Sequence, residues 1–151
     1  VFVGPDNGIG PPVQASSRFG AKYVLLEELI PYVERGQTLV IYHHLNRQAS
    51  APDQIRERIL QVRQALGASA NVTALRYRRG SARVFLVCTS PNHRRVLADR
   101  VYRMMVSAWS LHFARYTARG LIEDSVCPFS VHGQPNILIE PEHLQKPLAQ
   151  Q

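Results

Sequence analysis

The apolar residues of this chain fall into continuous runs and helical stripes, which together predict an α/β domain. Val1 to Val3 is a short apolar run, and Thr38 to Tyr42 is a longer one rich in β-branched residues. Such runs are typical of parallel strands buried on both faces of a sheet. Tyr23 to Glu34, between them, carries apolar residues at helical spacing and is predicted as a helix. The order predicts a strand–helix–strand unit.

The next part of the chain predicts a helix, a hairpin and a second helix. Ser50-Ala51-Pro52-Asp53 is typical of a helix start, and Gly67 is a natural end for that helix. Val72 to Tyr77 and Ala82 to Thr89 are two β-rich runs across a short turn, which predicts an antiparallel hairpin. Arg94 to Phe113 has the periodicity of one long helix.

We therefore expect an α/β domain over residues 1–116, followed by an irregular C-terminal tail over 117–151. The expected fold is a partial, Rossmann-like sheet whose parallel strands end in an antiparallel hairpin and are flanked by helices. The chain has 151 residues, which fits one domain, and it does not begin with Met. We expect it to lack an N-terminal half.

The net charge of +7 narrows the classes of partner. Of the 18 basic residues 16 are Arg, and most lie between Arg18 and Arg115. A basic body favours a polyanion such as nucleic acid, although an Arg-rich composition alone does not locate a patch. No apolar run reaches membrane-spanning length, so no membrane partner is expected. Two cysteines without a metal-like spacing favour a cytoplasmic protein.

Beyond composition, the order of elements resembles the C-terminal half of a Rossmann-like S-adenosylmethionine-dependent methyltransferase, whose sheet also ends in a hairpin. In that family the first half carries the glycine-rich cofactor loop. The resemblance therefore implies S-adenosylmethionine as the cofactor of an intact homologue, and none bound by this chain alone. Amino-methyltransferases end the fourth strand with an acid or amide, two prolines and an aromatic residue, and of this motif Gly4-Pro5-Asp6-Asn7 keeps only the proline.

Several short motifs in order are similar to a little-characterised family of bacterial and phage proteins. That family carries Asp-Pro-Asp-Asn-Gly after an apolar strand, and here Gly4 replaces the leading acid. The resemblance covers about Val1 to Phe113 and implies a methyltransferase-like sheet. The motifs in this chain are Pro5-Asp6-Asn7-Gly8, Lys22-Tyr23-Val24, Arg35-Gly36, Val40-Ile41-Tyr42-His43-His44 and Trp109-Ser110-Leu111-His112-Phe113.

Two strand ends provide the candidate site, because ligands of open α/β sheets bind at the carboxyl ends of the strands. Asp6 and Asn7 are the candidate catalytic residues, which would orient a target group. The candidate substrate-binding residues are Pro5, Gly8, His43, His44 and Arg47. The alternatives are a plain turn at Asp6-Asn7-Gly8 and a buried histidine bonded to the backbone.

His43 and His44 are expected on opposite faces of their strand, and adjacent histidines are poor metal spacing, so no metal is predicted. Arg76, Arg78 and Arg79 around the hairpin turn are candidate nucleic-acid-binding residues. The alternative for these arginines is a solvated edge that deters aggregation.

Two functional hypotheses follow. The first is a methyltransferase-like domain that acts on nucleic acid, with its site at the ends of strands 1–6 and 38–44. The second is a non-catalytic nucleic-acid-binding or assembly module with a degenerate sheet. Whether the chain is an enzyme stays open between them. The expected partners are nucleic acid and either a second copy of the chain or the missing N-terminal half.

Overall fold

The computed structural model describes residues 1–10, 20–67, 70–80 and 82–122, which form an α/β fold. Short 3-10 turns over Gly20–Lys22, Leu26–Leu29, Pro91–His93 and Ala108–Leu111 connect some of the elements. In chain order the strands and helices are β1 (Phe2–Val3), β2 (Gly8–Ile9), β3 (Tyr23–Val24), α1 (Ile30–Glu34), β4 (Leu39–His44), α2 (Ala51–Leu66), β5 (Asn71–Tyr77), β6 (Arg83–Thr89), α3 (Arg94–Met105), β7 (Phe113–Thr117) and β8 (Gly120–Ile122).

The main sheet has six strands in the order β1-β4-β6-β5-β7-β8. β1 and β4 are parallel, and every other neighbouring pair in this sheet is antiparallel. Because both β4 and β5 are antiparallel to β6, β5 runs in the same direction as β4. The predicted α/β class and hairpin are confirmed. The sheet is mixed and mostly antiparallel, whereas the sequence predicted parallel strands with a hairpin only at the end.

The main core lies on one face of the sheet, beneath α2. Burial alternates along β4, so that Leu39, Ile41 and His43 are buried on this face. Ile55 and Ile59 of α2 are fully buried against it. Burying a large aliphatic side chain contributes roughly 1.5–3 kcal/mol relative to leaving it exposed. This packing fixes β4 and the strands beside it.

The opposite face of the sheet is covered by α3 over part of its area. Val87 of β6 and Met105 of α3 are both buried but lie outside the core cluster beneath α2. Val87 pairs with Val40 on β4, which places both on the second face. α3 contacts β7. Helices therefore flank both faces, as predicted.

α2 begins and ends where the sequence predicted. The Ser50 hydroxyl accepts a hydrogen bond from the backbone N–H of Asp53 at 3.3 Å, and Pro52 lies in the first turn. Proline fits there because its missing N–H would have no partner in the helix. Gly67 follows the last helical residue with φ +104, a conformation that favours glycine.

The predicted helix over residues 23–34 is wrong in its first part. Tyr23–Val24 is a strand, β3, which pairs in parallel with β2. The backbone N–H of Asn7 donates to the Lys22 carbonyl at 2.9 Å, and that of Gly10 donates to the Val24 carbonyl at 3.1 Å. These bonds to a distant segment replace the helical ones. Pro31 then lies in the first turn of α1, not near the end of a longer helix.

The long helix predicted over residues 94–113 ends at Met105. Ser107 is extended, with φ −98 and ψ −175, and its hydroxyl donates to the Met104 carbonyl at 2.7 Å. Phe113 begins β7, where its segment of aromatic and polar residues pairs with β5. The strand partner overrides the helical periodicity.

The main sheet continues past residue 117, the predicted start of the tail. β8 pairs with β7, with Gly120 opposite Thr117. Residues 123–151 of the predicted tail lie outside the described residues. Among the described residues, no helix combines the length and apolarity needed to cross a membrane.

Candidate functional site

The loop Pro5 to Gly8 follows β1 and is held in place by its own small sheet. β2 pairs with β3, with Gly8 opposite Tyr23, while β1 pairs with β4 in the main sheet. The loop therefore connects the main sheet to the small sheet of β2 and β3. Its residues Asp6 and Asn7 are exposed, and Pro5 is half-buried. The predicted catalytic pair is thus presented to solvent at the end of β1.

His43 fastens the end of this loop to β4. The backbone N–H of Ile9 donates a buried hydrogen bond to the Nδ1 atom of His43 at 3.0 Å. Gly8 has φ +90, and a Cβ on it would overlap Nδ1 and lie 2.9 Å from the His43 Cα. A Cβ on Gly10 would lie 2.7 Å from the Cβ of Tyr23. The close approaches that these glycines permit are therefore to side chains of this protein.

Burial keeps the His43 imidazole neutral. Burial, then the positive charge of Arg58 on α2, then His44 lower the pKa of His43 to about 4. Because Nδ1 accepts from Ile9, the neutral ring carries its proton on Nε2. His43 thus has the arrangement of a buried histidine hydrogen-bonded to the backbone, which was the structural alternative for this residue.

His44 lies on the opposite face from His43, as the alternation of burial along β4 shows. The Tyr42 hydroxyl and the His44 Nε2 are 3.0 Å apart, and the two rings meet edge to face. Arg47 is exposed in the loop after β4. His44 and Arg47 are therefore accessible, whereas His43 is enclosed.

The predicted nucleic-acid-binding arginines divide into two groups. Arg78 and Arg79 are exposed in the hairpin turn, where the backbone N–H of Arg78 donates to the backbone carbonyl of His112 at 2.7 Å. Arg76 is half-buried within β5, and its Nε is buried with no hydrogen-bond partner among the described residues. Arg76 pairs with Val84, the neighbour of His43, which places it on the core face. The turn arginines are the accessible ones.

All of these predicted residues lie at one end of the main sheet. β1, β4 and β5 run in the same direction, so their carboxyl ends meet there. β1 and β5 are three strand positions apart, with β4 and β6 between them. Three strand spacings correspond to about 14 Å. Asp6 and the turn arginines therefore flank the ends of the intervening strands.

The sequence analysis missed a cluster of rings at the same end, on the face away from α2. Neighbouring ring centroids in this aromatic cluster are 4.8 to 6.4 Å apart. Its members are Tyr42, His44, Tyr77, Phe85, Trp109 and Phe113. The available signal was the period of two along β4 and the hairpin, but the placement of Phe113 on a helix concealed it.

A cleft of about 560 Å³ opens at the other end of the sheet. It is lined by residues that include Arg63 of α2, Arg94 of α3 and Arg119 between β7 and β8. These three residues are far apart in sequence, so no local motif announces them. The cleft lies away from the strand ends where the sequence predicted the site.

Two features of the described residues bear on a metal ion and on the implied cofactor. Within the described residues, no three His, Cys, Asp or Glu side chains come together as a metal site would require. Gly8 is packed against His43 and Gly10 against Tyr23, so neither glycine leaves a gap beside its backbone for a ligand.

Comparisons with protein-family models, with curated proteins and with solved structures find no match to this chain.

Proposed function

We propose that this domain binds nucleic acid at the end of the sheet where β1, β4 and β5 terminate. The observation that carries the proposal is a group of exposed arginines at that end: Arg47, Arg78, Arg79 and Arg83. Arginine binds phosphate through several N–H donors at once. The net charge of +7 adds a long-range attraction for a polyanion.

In this proposal, the loop Pro5 to Gly8 positions bases of the nucleic acid beside the phosphate contacts. The His43–Ile9 hydrogen bond fixes the backbone at the end of the loop, and Asp6 and Asn7 expose a carboxylate and an amide there. An amide contacts a base edge through one donor and one acceptor. The arginines thus supply affinity, and the loop supplies contacts that depend on the base.

Replacing both turn arginines by glutamine is expected to weaken binding and to reduce its salt dependence. Each lost phosphate contact lowers the magnitude of the slope of log K against log salt concentration by roughly 0.7 to 0.9, so Arg78→Gln with Arg79→Gln removes roughly 1.4 to 1.8 from it. Fluorescence anisotropy with a labelled mixed-sequence oligonucleotide, titrated at several salt concentrations, measures both effects.

The matched control is Arg35→Gln with Arg56→Gln, which removes the same charge from two exposed positions, one just after α1 and one on α2. We expect the control to retain most of the affinity and slope. Equal loss in both double variants would show that overall charge, not the hairpin turn, drives binding. No binding of single or double strands by the intact chain at low salt would contradict the proposal.

A second candidate is the substrate side of a methyltransferase-like domain that acts on nucleic acid. The order of strands favours it: the antiparallel β6 lies between β4 and β5, which point in the same direction. This agrees with a methyltransferase-like sheet that ends in a hairpin. In this reading Asp6 and Asn7 orient the target group, and His44 and Arg47 shape the pocket.

The second candidate predicts that this chain alone does not bind S-adenosylmethionine tightly. The reason is that the space beside Gly8 and Gly10 is occupied by side chains of the protein itself. Isothermal titration calorimetry of residues 1–151 with S-adenosylmethionine should show no heat of tight binding. Micromolar or tighter binding would refute this division of roles, in which the chain holds the target group and not the cofactor.

A further inference from the structure

We propose that the aromatic cluster is a stacking surface for the bases of single-stranded nucleic acid. This inference rests on the proposed function and names the class of nucleic acid. The cluster spans β4, β6, β5 and β7, so its width is about 14 Å at the usual strand spacing. Four-stranded sheets that present aromatic side chains stack two or three splayed bases.

The pairing register places these rings in two rows on one face. Tyr42 lies opposite Phe85 in the first row. In the second row, His44 lies opposite Arg83, which lies opposite Tyr77, which lies opposite Phe113. Directly paired residues of neighbouring strands share a face, so the rings form one continuous surface.

α3 leaves this end of the face open. Along β6, Val87 is buried, Phe85 is half-buried and Arg83 is exposed. Accessibility thus increases toward the end of the sheet where the proposed phosphate contacts lie. Trp109, whose ring meets that of Phe113, has 57% of its surface exposed and is therefore open to a ligand.

An apolar face could be covered by several kinds of partner. The positive charge around these rings favours nucleic acid. The guanidinium carbon of Arg83 lies 6.0 Å from the centroid of the Tyr42 ring, within the surface itself. Arg78 and Arg79 border it in the hairpin turn. None of the described residues of β4, β5, β6 and β7 is acidic. Aromatic faces interleaved with arginines match alternating bases and phosphates.

A duplex keeps its bases stacked on one another, so only a single strand offers base faces to these rings. We therefore expect the intact chain to bind a mixed-sequence single strand of roughly 12 nucleotides more tightly than the same sequence as a duplex. Phe85→Leu with Trp109→Leu keeps apolar bulk but removes two π faces. This variant should lose roughly 10- to 100-fold in affinity for the single strand and little for the duplex.

The matched control is Leu60→Ala with Leu111→Ala, which truncates two exposed apolar residues outside the cluster. We expect the control to bind both probes as the unmodified chain does. Anisotropy titrations with the two labelled oligonucleotides measure these affinities, and circular dichroism with urea unfolding verifies that each variant is folded.

A second measurement needs no variant, because Trp109 is the single tryptophan of the chain. Base stacking on its ring should quench its fluorescence with the single strand at saturation, and the duplex should leave it nearly unchanged. Unquenched Trp109 in a chain saturated with single strand would overturn the inference while leaving nucleic-acid binding intact. The same holds if the leucine variant binds the single strand normally.

Two other results would also overturn the inference. Failure of both probes to bind would remove it together with the proposed function. Light scattering that shows a dimer, converted to a monomer by Phe85→Leu with Trp109→Leu, would assign the face to a second copy of the chain.

Discussion

Replacing Gly8 by alanine is expected to destabilise the domain by roughly 2 to 6 kcal/mol. The residue has φ +90, and a Cβ would overlap the Nδ1 atom of His43. Backbone strain costs about 1 to 3 kcal/mol. Displacing the ring also leaves the buried Ile9 N–H without its acceptor, which costs about 1 to 3 kcal/mol more. Urea unfolding followed by circular dichroism measures the free energy.

Gly36→Ala is the matched control for this substitution. Gly36 also has positive φ, at +71, but a Cβ there would have no atom within 4 Å. It should therefore cost only the strain, about 1 kcal/mol. If the two alanine variants were equally stable, His43 would not hold the loop. Comparing the two substitutions separates the cost of backbone strain from the cost of losing the His43–Ile9 hydrogen bond.

The parts of the fold that could be predicted are those whose signals are local. The hairpin follows from two β-rich runs around Arg78 to Gly80, and α2 follows from Ser50 and Pro52 at its start. In each case the residues that decide the structure are adjacent in sequence to the element they define. Such signals need no knowledge of the tertiary partner.

The errors fall where a distant segment decides the structure. Tyr23 and Val24 become a strand because the carbonyls of Lys22 and Val24 accept from the loop near Gly8. Phe113 to Thr117 become a strand because β5 offers a free edge. Apolar spacing alone cannot reveal a partner that lies tens of residues away. The same limit explains the mixed sheet, since strand order is a tertiary property.

The sequence predicted which residues meet at this end of the sheet, but not the contacts between them. The strand ends of β1 and β4 place Asp6, Asn7 and His43 together, because parallel neighbours share a carboxyl end. The sequence left open whether His43 faces a ligand or the backbone. That choice depends on Gly8, which brings the Ile9 N–H within reach of the ring. Ile9 and His43 are 34 residues apart, and nothing in the sequence between them indicates that they form a hydrogen bond.

Acid is expected to destabilise the domain through His43. The folded-state pKa of His43 is lowered to about 4, whereas an unfolded histidine titrates near 6.5. Between these values the unfolded chain binds more protons than the folded one, so stability falls as the pH falls. The group should contribute a loss of roughly 3 kcal/mol between pH 7 and pH 4. Protonation of Nδ1 would also remove the acceptor of the Ile9 N–H, so the loop at Asp6 should detach with it.

His43→Asn isolates this contribution. The amide oxygen of asparagine occupies about the position of Nδ1 and accepts a hydrogen bond, but it does not titrate. We expect the difference in unfolding free energy between the two proteins to shift by roughly 3 kcal/mol between pH 7 and pH 4, in favour of the variant at low pH. Urea unfolding at half-unit pH steps measures it. Parallel curves for the two proteins would mean that His43 is accessible and titrates normally. His43 would then be a ligand-facing residue, and its hydrogen bond to Ile9 would not hold the loop.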